Sequence, residues 1–183
     1  DTATNLIFIL FFHDPATTEN TLFPYQTLFR STHQNNCRGL KNNLLPPWDQ
    51  GLAGLIADLH DRGLLENTVV WCTGEFGRTP TINDKGSGRD HFARAMSMLY
   101  AGCGIKGGHV IGKTDKTASQ PVGESYSPDD AAASFYHAIG INPQKEYHTS
   151  DGRPVMIVGK GQPIKKFGDK PHAFSFSSNC FEI

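Results

Sequence analysis

The chain has almost no excess charge of either sign: 17 basic residues face 18 acidic ones, for a formal net charge of −1. That removes the electrostatic footprint of a nucleic-acid or anionic-membrane binder. A long apolar run is missing too. NLIFILFF at 5–12 falls well short of the roughly 20 residues a helix needs to span a bilayer. With neither a basic leader nor a small-residue cleavage site, it also makes a poor signal peptide. Cysteine is sparse: Cys37, Cys72, Cys103 and Cys180 stand far apart with no CxxC spacing, which argues against a four-cysteine zinc site or a redox pair. Also absent are GxSxG, HExxH and a phosphate-binding glycine loop. Gly102, Gly104 and Gly107 do not make a dinucleotide fingerprint. No serine or threonine nucleophile can be chosen by motif.

What is present suits an α/β domain. The 183 residues suffice for one domain with a core. Glycine and proline are plentiful and fall between apolar runs, as expected of an α/β chain with substantial loops. The organising stretch is TVVWCTGEFGRTPTINDKGSGRDH, Thr68 to His91. Its apolar, β-branched start predicts a strand buried on both faces. The strand stops at Thr73-Gly74 and delivers Glu75 at its carboxyl end, where open α/β sheets bind ligands. A polar, glycine-broken loop then carries Arg78 and closes on Gly88-Arg89-Asp90-His91.

Upstream, Pro46-Pro47 open a predicted helix, because proline is tolerated in the first turn. Trp48, Leu52, Leu55, Ile56 and Leu59 form its apolar stripe, and Gly63 is its stop. Downstream, Ala95–Ala101 reads as a strand, His109–Gly112 as a short strand or turn edge, and Lys113–Tyr126 as a surface loop. Ser127-Pro128-Asp129-Asp130 is a strong helix start. Ala131, Phe135, Ala138 and Ile139 form that helix's buried face, and Gly140 ends it. Arg153–Val158 reads as a last short strand and 168–183 as a poorly ordered tail. Residues 1–31 fit none of this. HDPATTENTLFPYQTLFRS has no periodicity, and its wording resembles translated sequencing-adapter read-through. The segment is read as irregular and non-native; the alternative is an N-terminal arm with one buried strand.

Asp90-His91 is the sharpest local signal for chemistry, since carboxylate oxygen and imidazole nitrogen together suit zinc, manganese or iron-like metals. The bland alternative is a surface-loop acid beside an incidental histidine. Glu75 leaves a buried strand, where a carboxylate is costly unless paired or metal-bound; Arg78 is its obvious partner. The same Arg could instead orient an anionic ester, since its planar fork matches phosphate or sulfate oxygens. His33 and His109 taken alone read as surface residues. His60 and His137 read as ordinary helix positions.

Several segments, taken in order, resemble a bacterial sulfatase-like family of unknown function within the alkaline phosphatase superfamily. THQNN resembles that family's DTHGNN element. LPPWDQGLAGLIADLHDRGLLENTVVW, GEFGRTP, GRDHF, AGCGIKGGHVIG, SPDDAAASFYHAIGI and DGRPVMIVGKGQPIKKF follow in the family's order. The resemblance covers Thr32 to about Phe167. It implies part of an alkaline-phosphatase/sulfatase-like three-layer α/β/α sandwich. It also implies a divalent metal (zinc, calcium or manganese) on His33, Glu75, Asp90 and His91, with Arg78 facing substrate. The implied substrate is a small-molecule or glycan sulfate or phosphate ester, and the implied location is periplasmic or extracellular. Two departures follow. The family's DTH is here Ser31-Thr32-His33, and the half that carries the superfamily's nucleophile has no counterpart. The chain is therefore expected to be a C-terminal fragment of an ester hydrolase, inactive alone. A non-catalytic surface or carbohydrate-binding protein on the same fold is the alternative; a cytosolic phosphomutase relative fits the motifs less well.

Overall fold

The protein is described by a computed structural model that covers residues 34–84 and 86–168, together with the backbone of residues 5–10. His33 and residues 169–183 lie outside the described residues, as does most of the 1–31 segment. The described chain is mixed α/β.

The central strand, β2 (Thr68–Thr73), follows the apolar run that predicts it, and all of its residues but Trp71 are buried. Side chains alternate along a strand, so its two faces collect different partners. Val70 and Cys72 pack with Leu59 and with Leu52, Leu55 and Ile56 of a long helix. Val69 packs with Cys103, Phe135 and Ile139 on the other side, and Trp71 joins that cluster. The Trp71 ring stacks on Tyr100 at 5.4 Å and meets Phe135 at 5.2 Å. Each aliphatic side chain fully buried this way contributes roughly 1.5–3 kcal/mol, so β2 with its two covering helices is the core.

Two strands flank β2. β1 (Asn5–Leu10) lies parallel to it in the register Asn5↔Thr68 to Leu10↔Thr73. On the other edge lies β5 (Leu99–Ala101), antiparallel, with Trp71 opposite Tyr100. The strand expected over Ala95–Ala101 is thus confined to its last three residues. Gly102 ends β5 at φ +82, and a Cβ there would sit 2.0 Å from the Thr68 carbonyl oxygen. No other residue type allows that approach.

The first helix starts earlier than the proline pair suggests. A short helix α1 (Asn36–Gly39) runs through a π-helical turn (Leu40–Leu44) into α2 (Leu45–Asp61). Consecutive prolines at 46 and 47 remove two amide donors and crowd the carbonyls four residues back. The wide π turn at 40–44 relieves that crowding, so the helix passes the pair instead of beginning at it. Its end follows the expectation. Gly63, at φ +67, donates to the His60 carbonyl at 2.9 Å, and Leu64 N–H to the Leu59 carbonyl at 2.8 Å. This is a Schellman closure, with Leu59 and Leu64 packed beneath it.

The second covering helix is α3 (Pro128–Ala138). Ser127 and Asp130 form a reciprocal capping box at its start. At its end Gly140 and Ile141 repeat the Schellman pattern on His137 and Tyr136. The segment after it is stitched back by polar bonds: Ile164 N–H donates to Ser134 Oγ at 2.8 Å and Gln162 N–H to Asp130 Oδ1 at 2.8 Å. The strand expected over Arg153–Val158 is shorter, β7 (Pro154–Met156). It pairs with β6 (Glu146–His148) in an exposed hairpin apart from the main sheet. His109–Gly112 forms no strand. The 113–126 loop is closed by a bridge between Thr114 and Pro121.

Candidate functional site

Beyond β2 the chain turns through Gly74 and Glu75, both exposed, into a small ladder. β3 (Gly77–Arg78) and β4 (His91–Phe92) pair antiparallel, with Arg78 opposite His91. The sequence pointed to a loop here; the structure makes the closing histidine part of a strand. Gly77 permits this. A Cβ at that position would lie 1.8 Å from the Ala95 carbonyl oxygen, so only glycine lets β3 seat against the chain that follows β4.

The loop between the two strands is held by polar bonds rather than apolar burial. Thr79 N–H donates to the Asp90 carbonyl at 2.9 Å, and Asp90 N–H donates to Thr79 Oγ1 at 3.1 Å. Asn83 takes three roles. Its backbone N–H donates to the Gly88 carbonyl at 2.8 Å. Its Oδ1 accepts from Gly88 N–H at 3.2 Å, and its Nδ2 donates to Asp90 Oδ1 at 3.1 Å. Arg89 Nη2 donates to the Pro80 carbonyl at 3.0 Å. Sequence reasoning gave Asn83 and Arg89 no role. The signal for Asn83 was there in the turn chemistry of Asn83-Asp84 ahead of Gly86.

Arg78 and Asp90 form the charged centre of this loop. Arg78 Nη1 donates to the Arg89 carbonyl at 3.1 Å. Burial pushes the Arg78 pKa down, and the nearby Asp90 charge pulls it back up. The guanidinium stays charged, because arginine is not deprotonated in proteins. The His91 ring lies over Phe76, with centroids 4.0 Å apart and planes inclined by 36°.

A second motif docks on the loop. Asn35 N–H donates to the Gly86 carbonyl at 2.7 Å and Asn36 N–H to the Ser87 carbonyl at 3.0 Å. Asn35 is left-handed at φ 48, a conformation asparagine adopts more readily than most residues. Asn36 is almost fully buried. Two stretches some fifty residues apart in sequence, Gln34–Asn36 and the GSGRDH loop, are therefore one structural unit, although His33 itself lies outside the described residues.

The structure thus brings Arg78, Asp90 and His91 onto one hairpin and leaves Glu75 exposed at its entrance. Among the described residues, no three His, Cys, Asp or Glu side chains form a group that could hold a metal ion. Asp90 Oδ1 accepts from Asn83 Nδ2, and the His91 ring packs on Phe76. The described donors do not make a metal centre by themselves. What they provide is a partly buried arginine with the Asp90 carboxylate nearby.

An α/β module with helices on both sides of its central strand and a polar, arginine-bearing hairpin beyond that strand is the class these features define. The chain belongs to the family described as Protein of unknown function (DUF1501), whose profile matches residues 31–167. No curated protein and no solved structure matches the chain.

Proposed function

We propose that residues 32–167 belong to an exported, metal-dependent sulfatase- or phosphatase-like ester hydrolase built on an alkaline-phosphatase-like three-layer sandwich. The observation that carries this reading is the joining of Gln34–Asn36 to the 86–90 loop, beside the partly buried Arg78. Both motifs of the resemblance meet at one place beyond the carboxyl end of β2, where α/β sheets bind their ligands. In this reading Arg78 orients the ester's anionic oxygens. His33, Glu75, Asp90 and His91 are the candidate donors to a divalent metal, which when bound would polarise the ester.

The test is metal analysis of an intact relative together with aryl sulfate and aryl phosphate assays. Bound metal and turnover are expected, and the lack of both would sink the enzyme reading. In the same protein, substitution at the position of His91 should lower metal content more than substitution at the position of the exposed, helical His60. Equal metal content in the two variants would remove His91 from the site.

The engagement of Asp90 by Asn83 and of the His91 ring by Phe76 favours a second reading, a non-catalytic surface or carbohydrate-binding protein on the same fold. Glycan binding by the intact relative, without metal or turnover, would select it.

A further inference from the structure

A half-open cavity of about 500 Å³ lies between the 95–98 segment that follows the 74–91 hairpin, β5, the 105–114 segment and the start of α3. That volume falls within the roughly 300–1,000 Å³ of small-molecule sites. Its walls are pinned from several sides. Tyr100 Oη donates to the Ala131 carbonyl at 3.0 Å, Lys106 N–H to the Phe167 carbonyl at 3.0 Å, and Ile164 N–H to Ser134 Oγ at 2.8 Å. The Tyr100 and Phe167 rings meet at 4.7 Å.

The lining is divided chemically. Met98, Tyr100, Ile105, Ile164 and Phe167 give it an apolar body, whereas Lys106, His109 and Lys113 are exposed at its edge. The one acid in the lining among the described residues, Glu124, is already engaged: it accepts from Lys166 Nζ and from Tyr126 Oη. Its charge is thereby offset, which leaves the edge net positive. An apolar body with exposed lysines on its edge matches a ligand with an apolar body and one negative end.

We propose that this cavity is a binding site for a small amphipathic organic anion, with the apolar part on the Tyr100–Phe167 side and the acid group toward Lys106 and Lys113. The proposal does not depend on the hydrolase reading, because binding is measured without turnover.

The test is a fluorescence titration of the full chain with anilinonaphthalene sulfonate, an aromatic sulfonate, and with phenylnaphthylamine, its uncharged counterpart. Saturable binding of the sulfonate at one site is expected, with the neutral probe at least about tenfold weaker. Lys113→Glu, at an exposed position, should weaken the sulfonate about tenfold and leave the neutral probe unchanged. Met98→Trp should narrow the cavity and weaken the binding of both. Equal affinity for the two probes, indifference of the sulfonate to Lys113→Glu, or uptake without saturation would each overturn the proposal. Lys113→Glu keeps it falsifiable even if the tryptophan variant fails to fold.

Discussion

The core around β2 and the hairpin beyond it are held together by opposite means. In the core, Val69, Val70, Cys72, Leu59 and Phe135 are nearly sealed from solvent, and the cohesion is apolar burial. A few residues further on, Glu75, Asp90 and His91 are exposed, and the fold is kept by Asn83, Thr79 and Arg78 bonding to backbone. Burial is non-directional and tolerates small shifts. A polar loop depends on each bond's geometry and costs little to open locally. The lesson is a division of labour: the stability of the molecule resides in the first region, and the presentation of charged groups in the second.

Four substitutions or conditions would break or sharpen that contrast. The largest effect is expected for Phe135→Ala, which empties the centre of the cluster of Val69, Cys103 and Ile139. A loss of about 3–5 kcal/mol in denaturant unfolding is expected, and a loss below 1 kcal/mol would show that this cluster is not the core. Next comes Gly77→Ala. Its Cβ meets backbone at 1.8 Å, so β3 must move away from Ala95, at a cost of about 1–3 kcal/mol. Amide exchange should quicken across 77–92 while the β2 amides stay protected. Quickening in both regions would mean that hairpin and core unfold as one.

Smaller again is Asn83→Ala, which removes the side-chain bonds to Gly88 and Asp90. Roughly 1 kcal/mol is expected, together with chemical-shift changes confined to 79–91. Shifts spreading to α2 would place Asn83 in the core network instead. The smallest effect is an acid dependence through Asp130. Bonds from Gln162 N–H, and from Ser127 backbone and hydroxyl, hold its carboxyl below the usual range despite partial desolvation. A lowered folded-state pKa stabilises fully above the unfolded value, and that stability is lost as pH falls through the folded value. Melting temperature should therefore drop below about pH 4, and Asp130→Asn should flatten that limb of the curve. An unchanged limb would remove Asp130 from the linkage.

The same division explains what could be read ahead of the structure. β2, the α2 stripe, and α3 with its cap and glycine stop were legible because periodicity and capping are local properties of a chain packed on one face. The helix through Asn36–Leu44 was not legible, since polar residues ahead of two prolines carry the signature of a helix start. Its continuation depends on a π turn and on Asn35 and Asn36 docking against Gly86 and Ser87. The β6–β7 hairpin was only half visible, because its exposed strands show no burial pattern.

At the candidate site, the sequence by itself determined which residue types were available: Glu75, Arg78, Asp90 and His91 within one glycine-rich stretch. It could not determine which of them meet. Pairing of Gly77–Arg78 with His91–Phe92 rests on a close approach of Gly77 to Ala95. Arg78's proximity to Asp90 rests on a loop closed by Asn83. Both are contacts between residues distant along the chain, set by backbone geometry and hydrogen-bond direction rather than by hydrophobic pattern. For that reason only the tertiary structure decided that the arginine and the carboxylate share one hairpin, that the Gln34–Asn36 motif is docked beside them, and that a cavity with lysines on its edge forms between β5 and α3.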